Sequence, residues 1–363
     1  MARKPKIPPG PIPPAVREAI QEAGLRYVTD RKPGITREAR GKTFHYRDPD
    51  GKKLKDEATL NRIKHLVIPP AWTNVWICPF SNGHIQATGR DARGRKQYRY
   101  HARWREQRDE NKFEHMMGFA HALPLIRRRV QRDLRRPGMP REKALATVAR
   151  LLEITLIRVG NNEYARDNNS FGLTTMHNRH VQVARGKIEF TFRGKSGKRH
   201  EISVRDPRLA KIVRRCQDMP GQDLFEYEEP DGTVRDVNSG DVNAYLREIA
   251  GEDYTAKDFR TWAGTVLAAI ALRQFEGVST DALAKKNIVT AVEAVAKMLG
   301  NTPAVCRKCY IHPEILNSYL AGQTIATVEQ RLSSKISRSL SKLKPEEAAV
   351  IVLLKNRLNR RHL

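Results

Sequence analysis

The pattern of apolar residues changes near residue 108 of this 363-residue chain. Before that point, short strand-like runs alternate with turn signals such as DPDG and SNG. After it, apolar positions recur with helical periodicity, interrupted by one group of strand-like runs at 180–204. We therefore predict an α+β fold, with a small β-rich amino-terminal domain and a larger, mainly α-helical domain that contains a small β-hairpin or sheet.

The same pattern predicts the individual elements and the domain boundaries. Predicted strands cover 42–46, 75–78, 84–87, 180–183, 188–192 and 200–204. Predicted helices cover 15–24, 57–66, 111–135, 141–159, 208–217, 242–250, 259–275, 281–299 and 313–320, and a last helix begins at Pro345. The predicted domains are a Pro-rich basic arm (1–25), the amino-terminal domain (26–108), the larger domain (109–322) and a basic tail (323–363).

Lysine and arginine outnumber the acidic residues by 67 to 40, a net charge of +27. Self-repulsion of this size is tolerated most easily where a polyanion screens it, so nucleic acid is the predicted partner. Basic residues are densest in segment 89–108, which contains Arg95 and Lys96 and interleaves Tyr98 and Tyr100 with the cations. Cationic side chains can contact phosphates while Tyr and Gln reach sugars or base edges, so this segment is predicted to bind a groove of DNA.

Several classes of protein are disfavoured by what the chain lacks. Its longest apolar stretches, 266–272 and 348–354, are far shorter than the roughly 20 residues that cross a bilayer. The basic start is not followed by an apolar segment, so we expect a cytoplasmic protein without a secretory signal. HExxH, GxGxxG and magnesium-binding acidic patterns are missing, and the CxxC of Cys306 and Cys309 has no second ligand pair for zinc. The GKS at 194–196 lacks the P-loop glycine, so we expect neither metal nor nucleotide cofactor.

Five segments resemble the poxvirus and bacterial type IB DNA topoisomerases, in the order of that family, between about residues 26 and 321. They are GRKQYRY (94–100), LIRVGNNEYA (156–165), FRGKSGK (192–198), KDFRTWAGT (257–265) and LGNTPAVCRKCY (299–310). The resemblance implies that Tyr310 is the nucleophile, that Arg158 and Arg260 are the catalytic arginines, and that Lys195 is the catalytic lysine.

The resemblance also implies supporting residues. Asn301 stands where poxvirus members have histidine, and because an asparagine side chain cannot exchange a proton, its role would be hydrogen bonding. Lys257 matches the family and would act as a second cation near the leaving group. Gln97, Tyr98 and Tyr100 match a strand through which the amino-terminal domain contacts DNA. Strand alternation places Tyr98 and Tyr100 on one face, and packing in a core is the alternative to DNA contact for these two rings.

The implied enzyme is a monomeric, nucleoid-associated topoisomerase that closes two domains around double-stranded DNA as a C-shaped clamp. It would cleave one strand through a 3′-phosphotyrosyl bond, allow rotation and religate the strand without ATP or metal. The residue types suit this chemistry. Two arginines can grip the non-bridging oxygens of a pentacoordinate phosphate, and a lysine can protonate the departing 5′ oxygen. Surrounding cations would favour the phenolate of Tyr310, because the ordinary tyrosine pKa is near 10.

Two other functions remain open on the sequence. A tyrosine recombinase uses the same chemistry but usually carries HxxR around the second arginine, and here Lys257 occupies the histidine position. A noncatalytic architectural DNA-binding protein would leave Tyr310 with a structural role. The tail after Ala321 could be either a disordered DNA tether or a docked helix.

Overall fold

The computed structural model describes residues 14–41, 43–92, 94–275, 280–332 and 340–359. The chain divides into two compact units, Met1–Glu114 and His115–Leu363. Helices and small antiparallel sheets occur together, so the predicted mixture of α and β structure is confirmed. The predicted arm up to residue 13, Arg93 of the basic segment and residues 333–339 of the tail lie outside the described residues.

The amino-terminal unit is built around one antiparallel sheet. Its helices are α1 (Pro14–Glu22) and α2 (Glu57–His65), and its strands are β1 (Ile35–Arg40), β2 (Thr43–Arg47), β3 (Thr73–Ile77), β4 (Ile85–Arg90) and β5 (Lys96–Tyr100). The strand order is β2-β1-β3-β4-β5. The predicted helices and the strands at 42–46, 75–78 and 84–87 are confirmed. The pattern does not predict β1, because Ile35 is the only buried residue of that strand.

The long helix α3 (Ala102–Asp133) begins earlier than the predicted start at residue 111. Trp104 in its first turn is 6% exposed and packs with Ile20 of α1 and with Leu25. A single tryptophan among charged residues does not produce a helical periodicity of apolar residues, so the sequence pattern does not predict these first turns. Residues 102–108 of the basic segment are therefore helical.

The larger unit is mainly helical. Its further helices are α4 (Arg141–Thr155), α5 (Asn162–Asn168), α6 (Pro207–Gln217), α7 (Ser239–Ala250), α8 (Ala256–Arg273), α9 (Asp281–Leu299), α10 (Pro303–Cys309), α11 (Pro313–Leu320), α12 (Ile325–Leu332) and α13 (Pro345–Asn359). Its strands are β6 (Val181–Ala184), β7 (Lys187–Arg193), β8 (Arg199–Arg205), β9 (Glu226–Glu228) and β10 (Val234–Asp236). Strands β6, β7 and β8 form a three-stranded antiparallel sheet. The separate β9–β10 pair is too short for the sequence pattern to predict.

Helix α4 lies at the centre of this unit, where it contacts α6, α7 and α8. It ends at Thr155, earlier than the predicted end at residue 159, because Leu156 adopts the left-handed conformation (φ 56, ψ 18). The Thr155 hydroxyl donates to the Leu151 carbonyl and accepts from the Ile157 N–H, which satisfies this helix end. Arg158 therefore lies in the loop after the helix and not at the helix end itself.

Strands β7 and β8 form a hairpin whose tip is residues 194–198. Side chains alternate between buried and exposed along β7, so one face of the sheet packs on the core. At the tip, the Gly194 N–H donates to the Lys198 carbonyl at 2.7 Å. Ser196 and Gly197 have φ values of 66 and 74, which turn the chain sharply and leave Lys195 exposed.

The described part of the tail forms helices that pack on the larger unit. The predicted last helix is confirmed as α13, which begins at Pro345 and contacts α8, α11 and α12. Val350, Ile351 and Leu354 of this helix are fully buried. Two possibilities were left open for the tail, a disordered tether and a docked helix. The described residues of the tail agree with the docked helix. Among the described helices, we find none with both the length and the apolar character that spanning a bilayer requires.

Candidate active site

Arg260 is held inside the larger unit by the carboxyl ends of two helices. It lies in the second turn of α8 and is 4% exposed. Its Nη2 donates to the carbonyl of Leu299, the last residue of α9, at 2.7 Å. Its Nη1 donates to the carbonyl of Leu156, directly after α4. Because helix carboxyl ends carry partial negative charge, both contacts stabilise the buried cation.

The phenol of Tyr310 lies beside this guanidinium. The Cζ atom of Arg260 is 5.4 Å from the centre of the Tyr310 ring. Burial and the neighbouring Arg158 cation lower the pKa of Arg260, whereas the charge and hydrogen bonding of the Tyr310 phenol act in the opposite direction.

The backbone of Tyr310 is fixed against α8. Tyr310 follows the short helix α10, and its carbonyl accepts a hydrogen bond from the Thr265 hydroxyl at 3.2 Å. A Cβ atom at Gly264 would lie 2.7 Å from the same carbonyl oxygen. Glycine at this position therefore allows the helix that carries Arg260 to approach the backbone of Tyr310 closely.

Arg158 and Asn301 are joined by a direct hydrogen bond. Nη2 of Arg158 donates to Oδ1 of Asn301, which follows the left-handed Gly300 at the end of α9. Two donors nearby, Nδ2 of Asn301 and Nε of Arg260, are buried and find no hydrogen-bond partner among the described residues. A buried donor without a hydrogen bond lowers the stability of the fold by about 1–3 kcal/mol. These two N–H groups can therefore donate hydrogen bonds to a ligand that brings acceptor atoms.

One cleft of about 300 Å³ brings most of the predicted catalytic side chains together. Its lining includes Arg158, Lys195, Lys257, Arg260 and Tyr310. Lys195 comes from the tip of the β7–β8 hairpin, and Lys257 from the first turn of α8. No acidic side chain is found among the described residues of the lining, so the cleft is strongly cationic. Within the described ranges, no group of three or more His, Cys, Asp or Glu residues is placed to hold a metal ion.

Residues 101–337, well over half of the chain, match the family model for the catalytic core of eukaryotic DNA topoisomerase I. Residues 43–91 match the model for the amino-terminal domain of bacterial DNA topoisomerase IB. The chain belongs to the type IB DNA topoisomerases. The family and the enzyme class predicted from the sequence are thus confirmed, and the recombinase and the architectural protein are set aside.

Several viral enzymes are similar in sequence to this topoisomerase. It is 32% identical to DNA topoisomerase 1B of Acanthamoeba polyphaga mimivirus over 293 residues, which cover 79% of this chain and 87% of the relative. It is 22% identical over 285 residues to DNA topoisomerase I of Monkeypox virus and to DNA topoisomerase 1B of Vaccinia virus (strain Copenhagen). Each of these two matches covers 74% of this chain and 87% of the relative.

The predicted DNA contacts of the topoisomerase's amino-terminal unit lie on β5 or directly before it. Two acidic residues hold three of them. Lys96 Nζ lies 2.5 Å from a carboxylate oxygen of Asp30. Arg95 and Gln97 both donate to Asp91, at 2.7 and 2.9 Å. These contacts pair the polar side chains of the strand with acidic residues of the same unit.

Tyr98 and Tyr100 share a face of β5, as the alternation predicts, but they differ in burial. Their rings stack with centres 5.8 Å apart and planes 8° from parallel. Tyr98 is 42% exposed, whereas Tyr100 packs against the cluster of Ile20, Leu25 and Trp104. Tyr98 is thus the ring that a ligand can reach, and Tyr100 belongs partly to a core.

The sequence did not reveal which groups hold the catalytic candidates in place. The carbonyls of Leu156 and Leu299 are backbone atoms, and their residue types carry no signal of that role. Gly264 does carry a signal, because a glycine inside a helical pattern often marks a close approach of another segment.

Proposed function

We propose that this topoisomerase relaxes supercoiled double-stranded DNA by transient cleavage of one strand, through a 3′-phosphotyrosyl bond to Tyr310. The observation that carries the proposal is the cationic cleft, which Arg158, Lys195, Lys257 and Arg260 line together with the Tyr310 phenol. Such a site suits a phosphodiester whose negative charge increases during the reaction.

The cleavage step transfers the phosphoryl group from an alcohol to a phenol. The Tyr310 oxygen forms a bond to phosphorus as the bond between phosphorus and the 5′ oxygen breaks. The phenol proton passes to solvent, and Lys195 donates a proton to the departing 5′ oxygen. Lys257 adds positive charge near this leaving group. Religation is the reverse of the same step, with the 5′ hydroxyl as the attacking group.

The pentacoordinate phosphate is stabilised by the two arginines and the asparagine. Arg158 and Arg260 donate to the non-bridging oxygens, where guanidinium groups form short, charge-assisted hydrogen bonds. The unpaired donors Nε of Arg260 and Nδ2 of Asn301 support this role, because phosphate oxygens would supply the acceptors they lack. Asn301 also keeps Arg158 in position through the hydrogen bond between their side chains.

Relaxation by this route needs neither ATP nor a metal ion. The phosphotyrosyl bond retains the energy of the cleaved ester, so religation requires no external energy source. The cationic side chains supply the charge stabilisation that a metal ion provides in other phosphoryl-transfer enzymes.

DNA binding is proposed to involve both units. In this proposal, residues 26–108 form a DNA-binding domain, residues 109–322 form the catalytic domain, and the monomer closes around the duplex as a C-shaped clamp. The arm (1–25) and the tail (323–363) add basic residues to it. The +27 net charge supports tight, sequence-tolerant binding to phosphates, which would weaken steeply with salt. The enzyme would then be found on the nucleoid.

The proposal is tested by relaxation of plasmid DNA in EDTA without nucleotide. We expect plasmids of both supercoil signs to relax, since strand rotation follows whichever torque is present. Failure to relax either substrate under these conditions would overturn the proposal.

The nucleophile is tested by Tyr310→Phe. We expect this variant to form no covalent adduct with end-labelled duplex while it binds the duplex with nearly unchanged affinity. The matched control is Tyr319→Phe, whose phenol donates to the Phe275 carbonyl at 2.8 Å and lies outside the cleft lining. An adduct that persists in Tyr310→Phe would assign the nucleophile to another residue.

A further inference from the structure

His200 is a half-buried aromatic side chain that contacts two parts of the active site. It is the second residue of β8 and pairs with Phe192 of β7 across the hairpin. The imidazole stacks on the Phe192 ring, with centres 5.1 Å apart and planes 14° from parallel. The imidazole lies on the core side of the sheet, and the stacking fixes the orientation of its plane.

On one side, the imidazole touches the residue before Lys195. A Cβ atom at Gly194 would lie 2.7 Å from both Cδ2 and Nε2 of His200. A real Cβ atom does not come this close to its neighbours, so the ring occupies the space that any other residue at 194 would need. The backbone that leads into Lys195 therefore rests directly on the imidazole.

On the other side, the imidazole touches the residue before Asn301. A Cβ atom at Gly300 would lie 2.3 Å from Cε1 of His200. The hairpin tip makes a second contact with the same turn, where Lys198 Nζ donates to the Asn301 carbonyl at 3.3 Å. The ring thus lies between the backbone segments that carry Lys195 and Asn301 and contacts both of them.

The surroundings of the imidazole favour its neutral form. Burial, followed by the nearby cations Arg158, Arg260 and Lys198, lowers the pKa of His200. A neutral ring adds no further positive charge to the cationic cleft, and it can act as a rigid spacer between the two segments.

Lys195 itself lies at an exposed turn, where its side chain alone does not determine its position. We propose that His200 is a positioning residue, which holds the hairpin tip against the Gly300–Asn301 turn so that Lys195 can protonate the departing 5′ oxygen. The inference rests on the proposed function and adds a residue to the same site.

The test compares cleavage of two duplexes by the full-length enzyme. One duplex has the ordinary 5′ oxygen at the cleavage site, and the other has sulfur in its place. A thiol has a pKa of about 8.5, so it departs as the thiolate without a proton donor. Loss of proton donation therefore slows cleavage of the oxygen duplex and not of the sulfur duplex.

We expect His200→Ala to slow single-turnover cleavage of the oxygen duplex at least about ten-fold, because small displacements of a catalytic group cost this much or more. Cleavage of the sulfur duplex should stay close to the wild-type rate. Lys195→Ala should show the same difference between the duplexes with a larger loss, in the range of about 10²–10⁴-fold for general acid catalysis. His200→Ala combined with Lys195→Ala should be no slower on the oxygen duplex than Lys195→Ala alone.

A matched control is Arg199→Ala, the preceding residue of β8, whose side chain is 75% exposed. It should cleave both duplexes at the wild-type rate. A second variant, Gly194→Ala, pushes on the same ring from the hairpin side, at a backbone φ of −96 that any residue adopts, and should reproduce the loss that is confined to the oxygen duplex.

Equal slowing of both duplexes by His200→Ala would overturn the inference, and so would unchanged rates on both. These outcomes are distinct from failure of the proposed function, in which the wild-type enzyme would cleave neither duplex.

Discussion

The guanidinium of Arg127 donates to both carboxylate oxygens of Glu347, at 2.8 and 2.6 Å. Arg127 belongs to α3 and Glu347 to the first turn of α13, so this pair joins the carboxyl-terminal helix to the rest of the larger unit. Arg127 also donates to Glu153 of α4, and Glu347 accepts from the indole N–H of Trp262 at 3.4 Å. Trp262 lies two residues after Arg260, so the tail reaches the helix that carries the catalytic candidate.

We predict that Arg127→Met destabilises the protein by about 3–5 kcal/mol, since it leaves the carboxylate of Glu347 buried without its cation. Urea unfolding at pH 7 measures the change. As a control, Arg235→Ala removes an ion pair in which Arg235 is 62% exposed, and should change stability by no more than about 1 kcal/mol. A small effect of Arg127→Met would show that the tail docks without this pair.

The contribution of Glu347 should also depend on pH. Burial alone would raise the pKa of Glu347, but the hydrogen bonds and charge of Arg127 lower it below its ordinary value of 4.5. A lowered folded-state pKa stabilises the protein above pH 4.5, and this stabilisation is lost as the pH falls through the folded-state value. The stability difference between wild type and Arg127→Met should therefore shrink as the pH falls below 4.5 and through the folded-state pKa of Glu347. A difference that grows in acid would contradict this account.

Arg260→Lys should slow DNA cleavage by at least about 100-fold, although it preserves the charge. A single ammonium group cannot reproduce the planar guanidinium, which donates to the carbonyls of Leu156 and Leu299 and still faces the cleft. Single-turnover cleavage under saturating enzyme measures the effect. Arg273→Lys, the same change at the other end of α8, should leave the rate nearly unchanged. Near-normal cleavage by Arg260→Lys would mean that charge alone is sufficient at this position.

We expect substitutions of Tyr98 and Tyr100 to have different effects, the first on DNA binding and the second on the stability of the protein. Tyr98→Ala removes an exposed ring, and we expect it to weaken duplex binding about five-fold, equivalent to about 1 kcal/mol, with little change in thermal stability. Tyr100→Ala removes a ring packed on Ile20, Leu25 and Trp104, and we expect it to lower stability by about 2 kcal/mol. Fluorescence anisotropy at fixed salt and thermal unfolding distinguish the two effects. The reverse pattern would assign Tyr98 to the core.

Alkylation should reach Cys309 before the other three cysteines. Cys78, Cys216 and Cys306 are buried, whereas Cys309 is half-buried. Burial raises the pKa of Cys216 to about 12 and also raises the pKa of Cys306, so neither forms the reactive thiolate readily at neutral pH. Peptide mapping after brief iodoacetamide treatment identifies the labelled thiol. Because Cys309 precedes Tyr310, labelling should inhibit cleavage, and Cys309→Ser should protect against this inhibition. Faster labelling of Cys306 would show that α10 opens in solution.

Helices with clear start and stop residues were predictable from the sequence. Helix α9 occupies its predicted bounds because Thr280 caps its start and Gly300 ends it in the left-handed conformation. Helix α11 also matches, since Pro313 begins it. The end of α4 was not predictable, because a leucine adopts the left-handed conformation there and residue type gives no sign of it. The first turns of α3 were hidden for a similar reason, since Trp104 is the one buried side chain that the structure describes among residues 102–107.

The sequence by itself determined the kinds of side chain available to the site and their order along the chain. Segments that carry cations, a tyrosine and an asparagine resemble the type IB topoisomerases in their order, and this resemblance predicted the family. The tertiary structure decided how those groups are held. The carbonyls that support Arg260 come from Leu156 and Leu299, far apart in the chain, and only packing brings two helix ends to one guanidinium. Tyr98 and Tyr100 likewise differ in exposure, because the fold packs other side chains against the ring of Tyr100 and leaves the ring of Tyr98 open to solvent.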